Sequence, residues 1–169
     1  MTTDNCMKQV HIITPVKDSI DLTLETARAV LASRWHVPVT YTIYNDFSTD
    51  ENTRRLEEAS QELGFELVNL RDITSHPSPN YLLVLQMAQK RAIEAEAGLL
   101  IVESDVIVRE DTLQGLFDGA LAHPDCGIAA SVTVDEQGTV NYPYLYASDY
   151  PKEACEVKKH CSFCCSLLT

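Results

Sequence analysis

The sequence predicts an α/β protein in which a mostly parallel sheet is covered by helices on both faces. Short apolar runs alternate along the chain with segments whose apolar residues recur at the helical period. The 169 residues are enough for one domain with a substantial core, and a hydrophobic content of 45% is typical of a folded globular protein. We therefore expect residues 1–169 to form a single domain.

The first half of the chain is expected to contain three strands joined by two amphipathic helices. Proline removes a backbone donor and is expected to stop the first strand, and glycine is the natural residue just past a helix. The predicted elements are a strand at 10–14 that stops at Pro15, a helix from about residue 18 with Ile20, Leu24, Ala27 and Leu31 on its apolar face, a strand at 39–44, a helix with Leu56, Ala59 and Leu63 that ends at Gly64, and a strand at 66–70.

The second half repeats this alternation after a loop rich in serine and proline at 72–80. Asp111-Thr112-Leu113-Gln114 matches the capping box that opens helices. The predicted elements are a helix at 80–97 that is closed by Gly98, a central strand at 99–102, a helix with Leu113, Leu116, Phe117, Ala120 and Leu121 on its buried face, a strand at 126–134, a turn at Gln137-Gly138 and a last strand at 161–168.

Charge and hydropathy limit the class of partner. A formal net charge of -12 and a pI near 4.7 disfavour a nucleic-acid backbone as a direct partner. A small phosphorylated ligand stays compatible, because a divalent cation would offset its charge. No apolar run approaches the length of about eighteen residues that predicts a membrane-spanning helix, and the start lacks the features of a signal peptide. We expect a cytoplasmic protein, compatible with peripheral attachment to a membrane as part of a longer chain.

Four of the six cysteines lie within eleven positions near the end of the sequence. Cys161-x-x-Cys164 beside His160 resembles half of a zinc site, but only Cys155 is near enough in sequence to add a further thiol. The same stretch also reads as a buried strand, and reduced cysteine favours protein interiors. We favour the core interpretation, with thiols rather than disulfides.

The tripeptide Glu103-Ser104-Asp105 directly follows the apolar run of the central strand. Side chains two residues apart on a strand point the same way, so both carboxylates are expected to converge beyond its carboxyl end. Two hard oxygen donors suit Mg²⁺ or Mn²⁺. The alternative is an ordinary solvated junction between a strand and a loop.

Polar clusters follow three of the predicted strands, at 14–18, 45–48 and 103–105. In open α/β sheets ligands bind outside the carboxyl ends of the strands, so these clusters are expected to share one site. No Gly-x-Gly-x-x-Gly follows the first strand and no P-loop pattern occurs, which disfavours dinucleotide and P-loop binding.

The segments at 10–18, 43–53, 88–98 and 102–113 occur in an order that, together with their motifs, resembles the family 2 glycosyltransferases. Residues 10–18 are similar to that family's opening strand and its Pro-Val-Tyr-Asn, and residues 43–53 to its Val-Asp-Asp-Gly-Ser-Thr-Asp-x-Thr. Residues 88–98 are similar to its Ala-Arg-Asn-x-Gly helix, and residues 102–113 to its Leu-Asp-x-Asp followed by Pro-Asp-x-Leu. The resemblance implies a GT-A fold, a Rossmann-like three-layer α/β/α sandwich.

The resemblance also implies inverting transfer of a sugar from a nucleotide diphosphate, most simply a UDP-sugar, to an acceptor hydroxyl on a sugar, lipid or protein. By position, Asp105 would ligate the metal, with Glu103 near the ribose or the metal's water shell. Asp46 would accept a hydrogen bond from the base, although a turn or capping role is an equal alternative. The other positions implied for the donor nucleotide are Pro15, Val16, Lys17, Ser48, Gln89, Lys90 and Ser104.

Several of these positions depart from the family pattern. Lys17 stands where the family has tyrosine and is equally explained as a solvated loop charge. The other departures are Asn45 for aspartate, Gln89 for arginine and Glu103 for aspartate.

An inverting transfer needs a general base, which the family supplies beyond a strand resembling 161–168. Nothing after Thr169 provides one here, and Asp149 and His160 read better as solvated or structural residues. We therefore expect a donor-binding domain that is incomplete at its C-terminus, with an exposed strand that would allow a homodimer. The alternative is a non-catalytic module that binds nucleotide-sugars.

Overall fold

The protein is described here by a computed structural model that covers residues 7–141, 144–150 and 153–169. Six strands form one sheet in the order β3-β2-β1-β4-β6-β5. The first four are parallel to one another, and β6 runs antiparallel to both of its neighbours. The strands are β1 (Val10–Val16), β2 (Val39–Asn45), β3 (Glu66–Asn69), β4 (Gly98–Val102), β5 (Ile128–Ala130) and β6 (Cys165–Leu168).

Helices cover both faces of the sheet. Buried residues of α1, α2 and α4 share one core cluster, and buried residues of α3 belong to a second cluster on the other face. The predicted three-layer α/β/α sandwich is therefore confirmed. The helices are α1 (Ile20–Leu31), α2 (Asp50–Leu63), α3 (Tyr81–Glu94) and α4 (Thr112–Ala122), with short 3₁₀ turns at Leu70–Asp72 and Tyr144–Asp149.

The central strand β4 is apolar throughout because both of its faces are covered. Leu100 and Val102 pack in the cluster of α1, α2 and α4, whereas Leu99 and Ile101 pack in the cluster of α3. This alternation is the two-residue period of a strand that is buried on both sides. It places residue 103 at the carboxyl end of a rigid, fully buried element.

Gly98 has a packing role that differs from the predicted one. The helix before it ends at Glu94, so Gly98 is the first residue of β4 and does not close the helix. A Cβ at this position would lie 2.8 Å from the Met7 sulfur and 2.9 Å from Leu167 Cδ1. Glycine therefore allows β4 to pack closely against its neighbours.

The prediction that Pro15 stops the first strand is wrong, since β1 continues to Val16. The Val16 carbonyl accepts a hydrogen bond from Asp46 N–H, so residue 16 faces β2 and the nitrogen of residue 15 faces the β4 side. Pairing between β1 and β4 ends at Ile13. Pro15 has no N–H to donate, but β4 does not pair with β1 at this position, so no hydrogen bond is lost and the sheet tolerates the proline.

The capping box predicted at Asp111 does not form. Asp111 makes no side-chain cap, and Gln114 instead accepts a bond from His36 N–H and donates one to Asp118. Contacts made by the folded chain therefore override the local motif. The helix predicted at 80–97 ends three residues early, and the strands predicted at 126–134 and 161–168 shrink to 128–130 and 165–168. Gly64, with a φ of 84°, does cap α2 as expected.

The cysteines only partly follow the core prediction. Cys165 is 1% exposed, but Cys126, Cys161 and Cys164 are half-buried and Cys155 is exposed, while Cys6 lies outside the described residues. Over the ranges given above, no cysteine joins a group of three metal-binding side chains. Among the helices described, none has both the length and the apolar character needed to cross a bilayer.

Candidate functional site

The sheet changes direction between β1 and β4. From β1 the chain proceeds through β2 to β3 on one side, and then returns through α3 to β4 on the other side. The loops that leave the carboxyl ends of β1 and β4 therefore diverge and leave a crevice between them. Such a switch point is where open α/β sheets bind ligands. Residues 17–18 and 103–105 lie at this crevice, and the loop after β2 adjoins it.

Hydrogen bonds join the loop after β1 to the loop after β2. Asp18 N–H donates to Ser48 Oγ at 2.8 Å, and Asp18 Oδ1 accepts bonds from Thr49 N–H at 2.8 Å and Asn52 Nδ2 at 3.1 Å. The bond from the Thr49 backbone, followed by that from Asn52, lowers the pKa of Asp18. The predicted ligand residue Ser48 is therefore held in place through Asp18.

Both of these loops contain a residue in the left-handed backbone region. Asp18 has a φ of 61° and Phe47 a φ of 58°. This conformation is unfavourable for residues other than glycine, especially for a bulky aromatic one. Outliers of this kind concentrate at ligand clamps and active sites, where the surrounding structure maintains them.

Asp46 connects the loop after β2 to the start of α3. Its carboxylate accepts bonds from Ser78 Oγ at 2.8 Å, Asn80 N–H at 2.8 Å and Asn80 Nδ2 at 2.7 Å, and the residue is only 8% exposed. Burial alone would raise the pKa of Asp46, but the bonds from Asn80 and Ser78 outweigh it and lower the pKa. A carboxylate has about four acceptor positions, so one remains for a ligand.

Asn45 is the centre of a buried network below this loop. Its amide donates to Thr53 Oγ1 at 2.9 Å and Asn69 Oδ1 at 2.8 Å, while its carbonyl oxygen accepts from Ser48 N–H at 3.2 Å. An ionised aspartate can only accept hydrogen bonds and would lose both donated ones. Asn45, at the position where the resembled family has aspartate, thus makes two hydrogen bonds that an ionised aspartate could not make.

Glu103 and Asp105 lie in a turn rather than on a strand. β4 ends at Val102, and Val106 N–H donates to the Glu103 carbonyl at 3.2 Å to close the turn. The argument that residues two apart on a strand point the same way is therefore wrong for this pair. The two residues nevertheless share this one turn. Burial first, and then the charge of Asp105, raise the pKa of Glu103. Glu103 is half-buried and Asp105 is exposed.

We expect Glu103→Gln to raise the melting temperature at pH 7. A raised pKa in the folded state means that the Glu103 contribution to stability is present at low pH and is lost as the pH rises through that pKa. The gain should therefore disappear at pH 4, where the carboxyl is protonated. Thermal unfolding at both pH values checks this, with Glu58→Gln, at an exposed position of α2, as the control. A variant less stable than the wild type at pH 7 would contradict the raised pKa.

The other predicted site residues divide into two groups. Lys17 is exposed, Pro15 half-buried and Val16 buried at the carboxyl end of β1, and Ser104 lies in the turn after β4, so these four are at the crevice. Gln89 and Lys90 are not brought there. They are exposed on α3, about 12 Å along its axis from the first residue at 1.5 Å per residue, and Lys90 lies 3.9 Å from Glu94.

The two acidic residues after β4 fit Mg²⁺ or Mn²⁺ of the kind that phosphates help to bind. Both residues lie in the turn directly after β4, and a cation would offset the charge of Asp105 that, after burial, raises the pKa of Glu103. Within the described part of the chain, no three His, Cys, Asp or Glu side chains form a metal-binding group. The donor set therefore fits a cation that completes its shell with water and phosphate oxygens, and not one held by protein alone.

The two further candidates for a general base, Asp149 and His160, lie between β5 and β6. Asp149 ends the 3₁₀ turn at Tyr144–Asp149 and is exposed. The His160 carbonyl accepts a 2.6 Å bond from the Tyr146 hydroxyl, and the two rings pack edge to face at 5.7 Å. These contacts join His160 to the 3₁₀ turn.

Sheet order, layers and crevice together define the chain as a protein of the GT-A fold, the fold of nucleotide-sugar glycosyltransferases. It is similar to mannosyltransferase PcManGT from Pyrobaculum calidifontis, solved with GDP-Man and Mn²⁺, with a TM-score of 0.56 and 18% identity over 79% of this chain and 38% of that one. It is also similar to glucosyl-3-phosphoglycerate synthase from Mycobacterium tuberculosis, solved with UDP, with a TM-score of 0.52 and 13% identity over 75% of this chain and 45% of that one.

A further structure of the same synthase contains Mn²⁺, UDP and glucosyl-3-phosphoglycerate. The chain spans less than half the length of these solved structures, and at such identity the likeness shows the fold alone. No protein-family model matches the sequence, and no curated protein sequence matches it either.

Proposed function

We propose that this chain is the donor-binding part of a glycosyltransferase. The proposed reaction transfers a sugar from a nucleotide diphosphate, preferably a UDP-sugar, to an acceptor hydroxyl with inversion at the anomeric carbon. The observation that supports this most is that Lys17 directly follows the carboxyl end of β1, and Glu103 and Asp105 that of β4, at the switch point between these two strands.

The charges around this crevice suit a nucleotide diphosphate. We assign the exposed Lys17 ammonium to a phosphate, and its stem, together with Pro15 and Val16, to the base. Asp46 uses three of its acceptor positions for Ser78 and Asn80, and we assign the remaining position to the base N–H. Ser48 and Ser104 supply further hydroxyl groups.

Asp105 and Glu103 would hold a divalent cation against the diphosphate, Asp105 directly and Glu103 beside it. When bound, the cation offsets the negative charge that develops on the departing nucleotide diphosphate. Proton removal from the acceptor needs a base that we do not assign to any described residue. Gln89 and Lys90 lie on α3 away from the crevice, so the proposed site does not use them.

Isothermal titration of UDP with and without Mn²⁺ tests the proposal. We expect binding that strengthens at least about tenfold with Mn²⁺, since the metal shares its shell between the carboxylates and the diphosphate. GDP serves as the competing nucleotide, and uridine, which lacks phosphates, as the control that should gain nothing from Mn²⁺. A UDP-sugar that binds but is neither hydrolysed nor transferred would favour the non-catalytic module. No binding of any nucleotide diphosphate would reject both functions.

A further inference from the structure

Tyr81, the first residue of α3, has a buried hydroxyl with no hydrogen-bond partner among the described residues. Buried hydroxyl groups almost always find a partner, because leaving one unpaired is costly. The residue is firmly placed, since the preceding Asn80 donates two bonds to Asp46. The hydroxyl of Tyr81 therefore takes no part in the hydrogen bonding among the described residues.

The surroundings of this hydroxyl belong to the proposed metal site. Buried residues of α3 pack against Leu99 and Ile101 of β4, and α3 ends shortly before β4 begins, so α3 runs antiparallel to β4 and starts near its carboxyl end. In agreement with this placement, burial, and then the charges of Glu103 and Cys164, raise the pKa of Tyr81. Glu103 and Cys164 are themselves adjacent, since Glu103 N–H donates to the Cys164 carbonyl at 2.9 Å. The start of α3 thus faces the carboxyl end of β4 where it meets the start of β6.

Cys164, which is bonded to Glu103 through the backbone, can offer the Glu103 carboxylate only a weak donor. The Cys164 sulfur lies 2.8 Å from Ser162 Oγ, and thiols are weak donors. A phenol donating to a carboxylate would form a stronger, charge-assisted bond.

We propose that Tyr81 is a positioning residue, whose hydroxyl donates a hydrogen bond to the Glu103 carboxylate when a divalent cation and a nucleotide diphosphate are bound. This inference rests on the proposed function. Carboxylates near a metal are generally oriented by donors behind them, and such donors affect metal affinity strongly. The Tyr81 hydroxyl would then be unpaired in the ligand-free protein because it forms its hydrogen bond only when the cation and the nucleotide diphosphate are bound.

Tyr81→Phe removes only the hydroxyl and tests the proposal in two ways. Without ligand, the melting temperature should stay the same or rise, because no bond is lost and an unpaired polar group is removed. In the presence of Mn²⁺, the dissociation constant for UDP should increase about tenfold, the loss expected for one bond to a charged group. Without Mn²⁺, UDP binding should be unchanged.

Tyr41→Phe is the matched control, because the buried Tyr41 hydroxyl lies 2.9 Å from Thr14 Oγ1 and is paired. It should lower the melting temperature and leave the Mn²⁺-dependent binding of UDP unchanged. A Tyr81→Phe variant that loses stability without ligand, or that binds UDP with Mn²⁺ as tightly as the wild type, would overturn the positioning role alone. Wild-type protein that gains no UDP affinity from Mn²⁺ would overturn the proposed function and this role with it.

Discussion

Replacing Asp46 by alanine should lower the free energy of unfolding by about 2 to 4 kcal/mol, because it takes their common acceptor from two buried donors and one half-buried donor. Ser78 Oγ, Asn80 N–H and Asn80 Nδ2 all bond to this carboxylate. Two of these donors belong to the residue before α3, so the start of that helix would lose its anchor to β2. Urea denaturation at pH 7 measures the effect.

The loss should depend on pH in a defined direction. Since the pKa of Asp46 is lowered in the folded state, its stabilisation is present above the ordinary carboxyl pKa of about 3.9 and is lost as the pH falls through the folded value. The difference between the wild type and Asp46→Ala should therefore shrink between pH 5 and pH 3. Both proteins can be compared by urea denaturation across that range.

Asp125→Ala is a suitable control, because Asp125 is an exposed aspartate near the beginning of β5. Its stability should stay within about 0.5 kcal/mol of the wild type. If Asp46→Ala changed stability by no more than this control, the bonds to Ser78 and Asn80 would not stabilise the fold. A loss of the same size at every pH would contradict the lowered pKa of Asp46.

What could be predicted from the sequence is what depends on apolar periodicity. The alternation of strand and helix patterns gave the three layers, and the switch from helical period to Gly64 located the end of α2. These features depend on neighbours within a few residues, so a local pattern contains the information.

What could not be predicted depends on partners far apart in the chain. Asp46 and Asn80 are 34 residues apart, Asp18 and Ser48 are 30 apart, and Gln114 is drawn from its capping role by His36, 78 residues away. Asp18 lies in the segment at 10–18 that resembles the family's opening, yet only its contacts with the loop after β2 show that it organises the site. Tyr81 had no signal at all in the sequence, because its neighbours Glu103 and Cys164 come from other elements.

The structure of the Glu103-Ser104-Asp105 segment was predictable from the sequence only in part. Its position after a buried strand was predictable from the apolar run, but the turn that begins at Glu103 was not. That turn depends on β6, whose preceding residue Cys164 accepts the Glu103 N–H. The carboxylates are thus brought together by a turn and an antiparallel neighbour, not by the pleat of a strand.

Asp105→Ala should abolish the contribution of Mn²⁺ to UDP binding, so that the variant binds UDP no more tightly with Mn²⁺ than without it, a loss of at least about tenfold. Asp105 is exposed in the turn after β4, so its removal should cost little stability. Removing its charge also relieves the repulsion that contributes to the raised pKa of Glu103. Titration of UDP with and without Mn²⁺ would therefore report on the metal site and not on unfolding.

The control again is Asp125→Ala, because Asp125 lies near the opposite end of the strands from the site. It precedes β5, whose first residue, Ile128, is level with Leu99 near the beginning of β4. It removes the same charge from the protein and should leave the Mn²⁺ effect intact. Glu103→Ala should weaken the Mn²⁺ effect less than Asp105→Ala, because Glu103 stands beside the metal in the proposed arrangement. If Glu103→Ala were the more severe change, the half-buried carboxylate would be the direct ligand, and the roles proposed for the two acidic residues would have to be exchanged.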